Sequence, residues 1–323
     1  MQLKRRHFLA LGAVAPLACA VPALAAPTAS VGGRAFGSYW RLSCADVGAL
    51  ARAQISIEAI VASVNRGMSP NRHDSEIGRF NALSSTDWMP VSQHTQSVVA
   101  AALDMAQRCA GSFDPTVGPL VGRYGFGPIG GVRSGSYRQV ALRSGAIRKH
   151  DARLSLDLCG IAKGHALDRI VAALDAERVG SYLIELGGEV FARGRHPSGR
   201  HWQTAIEDPR PGSSGLAHLL ALDGAAIATS GNKVNSYELA GQRCGHIIDP
   251  LKASCLGTTL LSVSVIADHA MQADGLATGM MAMGLERASA LAESQHVDAL
   301  LLVRDGRRLK TISTGRFADR ILA

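Results

Sequence analysis

An aspartate and a threonine four residues apart form the first candidate chemical group in this sequence. Asp274 and Thr278 lie in residues 273–279 (ADGLATG), inside a segment with helical hydrophobic spacing. Residues at this spacing share one face of a helix, so the two oxygen-bearing side chains would lie together. Such oxygens suit a hard cation like Mg²⁺, which binds few protein groups and keeps water or phosphate oxygens. The alternative is structural, with Asp274 capping the helix and Thr278 bonding to its own backbone.

A second group lies in residues 156–164 (LDLCGIAKG). Here a strand-like stretch ends near Asp157, turns at Gly160 and begins a helix that carries Lys163 in its first turns. The N–H groups of a helix N-terminus, the helix dipole and an ammonium together bind an anion such as a diphosphate. A solvated lysine beside a structural glycine turn is the competing interpretation.

The segment 111–120 (GSFDPTVGPL) has two interpretations. Pro115 holds Asp114 extended, so the loop could present Phe113 and Asp114 to a ligand together. Asp114 or Thr116 could equally cap a helix, and the segment by itself favours the cap.

Two further segments combine reactive or small residues with turns. His246 and Asp249 frame two aliphatic residues in 245–250 (GHIIDP), which places two titratable groups near the end of a strand. Thr229 lies in 228–232 (ATSGN), where small residues allow a backbone to approach a ligand closely.

Taken together, the motifs resemble those of the FAD:protein FMN transferase family. The resemblance extends from about Gly37 to Val303 and rests on seven segments in the same order: 74–81 (DSEIGRFN), 111–120 (GSFDPTVGPL), 156–164 (LDLCGIAKG), 185–190 (ELGGEV), 228–232 (ATSGN), 245–250 (GHIIDP) and 273–279 (ADGLATG). It implies a single mixed α/β domain with FAD in a central cleft and Mg²⁺ at the FAD diphosphate.

Site roles follow from the resemblance, residue by residue. The metal ligands would be the Gly160 carbonyl, Asp274 and Thr278. The residues that it places at or near FAD are Ser112, Phe113, Asp114, Asp157, Lys163, Thr229 and His246.

The implied reaction is a phosphoryl-type transfer. Mg²⁺ and Lys163 would offset the charge that develops on the diphosphate as the bond to AMP breaks. His246 or Asp249 would take the proton from a threonine or serine hydroxyl that attacks the FMN phosphorus. The products would be an FMN phosphoester on an acceptor protein and free AMP. The expected acceptors are membrane-bound redox proteins with periplasmic domains.

Two positions depart from the family pattern. Asn71 follows Met68-Ser69-Pro70 and occupies a position at which many members have an aromatic residue. Losing that ring would admit water to the FAD site. The alternative function is therefore an FAD pyrophosphatase that releases FMN and AMP. Lys252-Ala253 replaces a Thr-Gly pair, which leaves the geometry of that loop open. A flavin carrier without turnover is a third, less favoured reading.

The elements that must position these residues alternate irregularly along the chain. Apolar periodicity predicts helices over 46–66, 76–83, 93–109, 161–174, 269–283 and 285–294. Strands are expected at 35–43, 154–159, 182–186, 189–194, 202–206, 216–222, 225–228, 258–267 and 299–303. This order predicts an α+β or mixed α/β domain, with mixed sheets flanked by helices. No Gly-x-Gly-x-x-Gly follows a strand, so the sequence does not support a Rossmann domain.

The amino-terminal residues predict export. Residues 1–25 contain Lys4-Arg5-Arg6, an apolar stretch and an Ala-Leu-Ala cleavage signal, which leaves 26–323 as the mature domain. The adjacent arginines resemble a twin-arginine signal, with an ordinary export signal as the alternative, and both predict a periplasmic protein. The leader carries three of the eight net positive charges, so the mature chain has a net charge of +5.

Composition excludes other functions. The 323-residue chain is 47% hydrophobic and 19% charged, as expected of a globular enzyme. Aromatic residues make up only 5%, which argues against a nucleic-acid partner bound by stacking. The five cysteines after the leader have no zinc-type spacing and suit buried core positions. Cys244 and Cys255 flank one loop and could form a disulfide in an oxidising compartment.

Overall fold

A computed structural model of the protein describes residues 28–131, 135–239, 242–257 and 259–322. The predicted leader, residues 1–25, lies outside this range. The helices of the described residues are α1 (Val47–Met68), α2 (Glu76–Ala82), α3 (Gln93–Arg108), α4 (Gly118–Arg123), α5 (Ala162–Ala176), α6 (Ala270–Met283) and α7 (Leu285–Ser294). Six of these agree with the predicted segments to within two residues at each end, because the apolar periodicity ends where the helix ends: α1, α2, α3, α5, α6 and α7.

The strands form one large sheet and several small ones. In chain order the strands are β1 (Ala29–Ala35), β2 (Ser38–Cys44), β3 (Met89–Pro90), β4 (Val140–Arg143), β5 (Ala146–Lys149), β6 (Tyr182–Leu186), β7 (Glu189–Arg193), β8 (Trp202–Glu207), β9 (Leu216–Leu222), β10 (Ala225–Gly231), β11 (Ser236–Leu239), β12 (Gln242–Gly245), β13 (Ile248–Asp249), β14 (Ser254–Cys255), β15 (Leu260–Ala267), β16 (Asp298–Asp305), β17 (Arg308–Thr314) and β18 (Ile321–Leu322). The large sheet has the order β1-β2-β6-β7-β10-β15-β16-β17, and its strands pair antiparallel throughout. Antiparallel pairing with helices on one face confirms the α+β form of the predicted class.

A separate hydrophobic core lies against each face of the large sheet. The helices pack on one face, where Ala226 and Ala228 of β10 join the main core. Residues in alternate positions, such as Ile227, face a smaller core under β8, β9 and β18. Central strands such as β15 are therefore buried on both faces, which explains their continuous hydrophobic sequences.

Two predicted strands have a different structure. The stretch 35–43 is divided between β1 and β2, because Phe36 and Gly37 take φ values of 50° and 78° and turn the chain. The stretch 154–159 forms no strand. The Asn81 side chain donates to the Leu156 carbonyl at 2.9 Å and accepts from its N–H at 2.7 Å, and the buried Lys149 ammonium donates to Leu154. Side chains thus replace the ladder hydrogen bonds that a neighbouring strand would supply.

Helices α5 and α6 approach closely and bring two predicted motifs together. A Cβ on Gly164 would lie 2.3 Å from the Ala270 carbonyl oxygen, so only glycine fits this contact. Asp168 of α5 accepts hydrogen bonds from the N–H groups of Ala270 and Met271 at 2.6 and 3.0 Å. Asp168 therefore caps α6, and the capping role considered for Asp274 is excluded.

Candidate active site

A cavity of about 390 Å³ opens between the β1–β2 turn, the end of α1 and the start of α5. Among the predicted site residues, Asn71 and Lys163 line it, together with Met68 and the Cys159 thiol. The volume is within the usual range for a small-molecule site, about 300–1,000 Å³. Asn71, which departs from the family pattern, and Lys163, the predicted phosphate-binding lysine, therefore line the same cavity.

The three predicted metal ligands lie together at the α5–α6 contact. A Cβ on Gly160 would lie 2.9 Å from Thr278 Cγ2 and 3.3 Å from Thr278 Oγ1. Asp274, buried one helical turn before Thr278, accepts a hydrogen bond from the Gly164 N–H at 3.0 Å. No three His, Cys, Asp or Glu side chains form a metal cluster in the described ranges. One carboxylate with neutral oxygens nevertheless fits Mg²⁺, which needs few protein ligands.

Phe113 and Ser112 lie beside the predicted metal ligands. Phe113 is buried, 3.2 Å from the positions that a Cβ on Gly160 or Gly279 would take. The Ser112 hydroxyl is buried and has no hydrogen-bond partner within the described part of the chain. A buried hydroxyl without a partner is unfavourable, so Ser112 fits the predicted contact with a polar ligand.

Asp114 and Asp157 hold the loops beside the site. Asp114 accepts from the Thr116 N–H and hydroxyl at 2.8 and 2.7 Å and from the Tyr137 N–H at 3.2 Å. Burial raises the pKa of Asp114, although these bonds oppose the rise. Asp157 accepts from the Cys159 N–H at 2.9 Å. The expected helix cap is wrong, because α4 begins after Val117 without a side-chain cap.

Glu189 of β7 completes the charged part of the site, and sequence analysis did not assign it a role. It is 2% exposed; Oε1 pairs with the Lys163 ammonium, and Oε2 has no hydrogen-bond partner among the residues described. Burial alone would lower the pKa of Lys163, but the Glu189 and Asp274 carboxylates outweigh it and raise that pKa. Burial raises the pKa of both carboxyl groups, against the opposing effect of Lys163. The available signal was an acidic residue followed directly by three apolar residues of a predicted strand, since a buried charge needs a partner.

Thr229 and Ser230 point to opposite faces of the large sheet. Thr229 shares the face of Ile227 and hydrogen-bonds to Ser264 at 2.7 Å. Ser230 lies 3.2 Å from the Thr278 hydroxyl. The structure therefore places Ser230, and not the predicted Thr229, against the predicted metal ligand Thr278, because side chains alternate along a strand.

His246 lies close enough to Lys163 for the two to interact electrostatically. Burial lowers the pKa of its imidazole and the Lys163 charge lowers it further, against a hydrogen bond to the Asn235 backbone that raises it. The ring meets Phe126 edge-on at 6.4 Å, and Nδ1 has no partner in the described segments. A neutral imidazole at neutral pH can accept a proton.

Asp249 serves a different purpose from His246. It is 3% exposed, and its Oδ1 accepts from the N–H groups of Leu251 and Lys252 at 2.9 and 3.3 Å. Its Oδ2 lies 3.5 Å from Arg287 Nη2 at the start of α7. Both carboxylate oxygens therefore anchor the loop, and His246 is the better placed of the two predicted bases.

The loop after His246 contains Lys252-Ala253, the pair that departs from the family pattern. Ala253 takes a φ of 51°, in the left-handed region that favours glycine. Cys244 and Cys255 form a disulfide across this loop, which settles the possibility raised by their spacing.

Comparisons with known proteins agree with this arrangement. The ApbE family profile matches residues 36–301. The FAD:protein FMN transferase of Klebsiella pneumoniae (strain 342) is 33% identical over 316 residues, which cover 92% of this chain and 90% of that protein. The crystal structure of the Pseudomonas stutzeri flavinyl transferase ApbE, apo form, has 32% identity and a TM-score of 0.81 and covers 92% of this chain and 98% of that one. The Vibrio cholerae flavin transferase ApbE has 30% identity and a TM-score of 0.81, covering 91% and 100%. The chain therefore belongs to the ApbE family, and its named relatives are flavin transferase enzymes.

Proposed function

We propose that the protein is an Mg²⁺-dependent transferase that moves FMN from FAD to a threonine or serine hydroxyl of an acceptor protein and releases AMP. The observation that carries this proposal is the position of Lys163. It lines the cavity, pairs with Glu189, and interacts electrostatically with both Asp274 and His246. One cation thus connects a ligand cavity, an oxygen-rich metal position and a candidate base.

The site residues would have three roles in the reaction: metal binding, charge stabilisation and proton abstraction. Gly160, Asp274 and Thr278 would hold Mg²⁺, which when bound neutralises diphosphate charge. Lys163, kept cationic by the two buried carboxylates, would stabilise the charge that develops as the bond to AMP breaks. His246 would accept the proton of the attacking hydroxyl at an imidazole nitrogen.

Covalent labelling tests the proposal. The purified protein is incubated with FAD, MgCl₂ and solubilised membrane proteins of the source organism, and denaturing gels are scanned for flavin fluorescence. The proposal expects a fluorescent band that requires both FAD and Mg²⁺, together with an equal amount of AMP. The His246→Ala variant should bind FAD and yield no band; labelling at the wild-type rate would contradict the role of His246.

FAD hydrolysis is the second candidate activity, and Asn71 favours it. This residue lines the cavity with a polar amide. Many members of the family have an aromatic side chain at this position. Water could then replace the acceptor hydroxyl and release FMN and AMP. Incubation with FAD and Mg²⁺ without acceptor should yield AMP, and its absence would eliminate this activity.

The proposed location is the periplasm. The leader, residues 1–25, carries the adjacent arginines expected of a twin-arginine signal. Fusing it to a reporter that folds before export should direct the reporter to the periplasm, and replacing Arg5 and Arg6 with lysine should stop this. Export that persists in the lysine variant would favour the ordinary signal.

A further inference from the structure

The candidate base lies in a short connection between two small hairpins. Strands β11 and β12 form one hairpin and β13 and β14 the other, and His246 follows β12 directly. In the described ranges neither hairpin pairs with the large sheet. The β13–β14 ladder contains only two residue pairs, Ile248 with Cys255 and Asp249 with Ser254. Hairpins of this size are marginally stable without further support.

The disulfide closes a ring around His246. Cys244 lies two residues before His246, and Cys255 pairs across the ladder with Ile248, two residues after it. The five residues 244–248 are thus fixed at both ends through one sulfur–sulfur bond and one strand pairing. Cys244 is 1% exposed, so this end of the ring is inside the protein.

Few other hydrogen bonds hold the backbone around His246. The His246 N–H donates to the Asn235 carbonyl at 3.0 Å, and the Ile247 N–H approaches Asn232 Oδ1 at 3.5 Å. Asp249 anchors the far end of the loop to Arg287. The imidazole itself has a hydrogen bond to the Asn235 backbone, and its Nδ1 has no partner among the described residues, so its direction depends on the backbone of residues 244–248.

We propose that the Cys244–Cys255 disulfide positions His246 for proton abstraction, so that the oxidised enzyme transfers flavin and the reduced enzyme binds FAD but transfers it slowly. This inference rests on the proposed transferase activity. Reduction by a dithiol such as dithiothreitol breaks the sulfur–sulfur bond, gives two cysteine thiols, and oxidises the dithiol to its cyclic disulfide. Two electrons and two protons pass from the dithiol to the protein.

The test compares oxidised, reduced and reoxidised protein. Transfer is measured as flavin fluorescence of the band labelled in the membrane fraction, and FAD affinity is measured by quenching of flavin fluorescence. A general base contributes about 10²–10⁴-fold, so its misplacement should slow transfer at least about tenfold, with FAD affinity unchanged and the rate restored on reoxidation. An unchanged rate in the reduced protein would overturn the inference, and so would a parallel loss of FAD affinity.

A double variant, Cys244→Ser/Cys255→Ser, is the matched control. It should transfer as slowly as reduced wild type, and dithiothreitol should not slow it further. A further slowing would mean that another cysteine mediates the effect, which would refute the inference.

A second readout needs no acceptor and separates this inference from the proposed function. The NMR titration of His246, assigned by its absence in His246→Gln, should show a pKa closer to that of free histidine after reduction, because the ring leaves its buried position. An identical titration in both redox states would overturn the positioning role, even if no acceptor band is ever observed. If oxidised protein labels no band but the titration changes, the transferase proposal fails and the positioning role stands.

Discussion

Replacing Asp274 with asparagine should separate its role in the fold from its proposed role as an Mg²⁺ ligand. The side chain is 3% exposed, and Oδ2 accepts the Gly164 N–H at 3.0 Å where α5 meets α6. Asparagine keeps an oxygen that can accept this bond but removes the charge. Alanine removes both, which makes Asp274→Ala the matched comparison.

The asparagine and alanine variants are expected to differ in thermal stability. Because the folded-state pKa of Asp274 is raised above its unfolded value, keeping this carboxylate ionised lowers stability at neutral pH. Asp274→Asn removes that penalty, so the metal-free variant should melt at or above the wild-type temperature. Asp274→Ala removes the charge as well, but it leaves the Gly164 N–H unsatisfied, which costs about 1–3 kcal/mol relative to Asp274→Asn. That cost corresponds to a Tm lower than that of Asp274→Asn by roughly 2–12 °C, at about 2–4 °C per kcal/mol.

Thermal unfolding with and without MgCl₂ and FAD completes the test. At one hundred times its Kd, a ligand stabilises the folded state by about 2.7 kcal/mol, so wild-type Tm should rise by roughly 5–11 °C. Asp274→Asn should show little of the Mg²⁺-dependent part of this rise. The reasoning is refuted if asparagine destabilises the free protein as much as alanine does, or if Mg²⁺ stabilises the asparagine variant as strongly as wild type.

Three other substitutions or measurements follow from the site. Since the pKa of His246 is lowered, the acid limb of the pH profile of transfer should be centred below the ordinary histidine pKa of about 6.5; an acid limb centred above that pH would contradict the burial argument. Lys163→Met should lower Tm more than Glu189→Gln. The first variant leaves the Glu189 carboxylate, which is 2% exposed, without its cation, whereas the second leaves the Lys163 ammonium, which is 31% exposed and partly solvated. Equal losses of Tm in the two variants would argue against this asymmetry. Asp168→Ala removes the acceptor for two α6 N–H groups and should cost about 1–2 kcal/mol by denaturant unfolding, while Asp168→Asn should retain part of the cap; an unchanged midpoint in Asp168→Ala would exclude that capping role.

Helices and strands with one clear period were predictable from sequence. The helix α1 and the strands β6 and β9 carry local patterns that agree with their tertiary surroundings. The stretch 154–159 was not predictable in this way, because its backbone bonds to the side chains of Asn81 and Lys149, which are distant in sequence. Strand β17 was also missed, since it lies at the sheet edge and its exposed residues follow no strong apolar pattern.

The sequence predicted which segments form the site better than it predicted what each side chain contacts. The spacing of Asp274 and Thr278 indicated one helical face, and the structure places Gly160 against that face. Spacing gave no indication of which side of the sheet Thr229 would face, because a shift of one residue along a strand reverses the side. Glu189 stood out as an acidic residue beside apolar ones, but its pairing with Lys163 depends on tertiary contact between β7 and α5, so no local pattern could identify Lys163 as its partner.

The close approach of α5 and α6 at Gly164 has a consequence for the kinetics of the proposed Mg²⁺ binding. The carbonyl of Gly160 comes from the entrance to one helix and the Asp274 carboxylate from the other, and the Gly164 contact fixes the distance between the two helices. A coordination sphere assembled in advance loses little conformational entropy when an ion enters. Mg²⁺ should therefore associate in a single phase whose rate is set by ion dehydration, and a bulkier residue at position 164 should introduce a slow second phase.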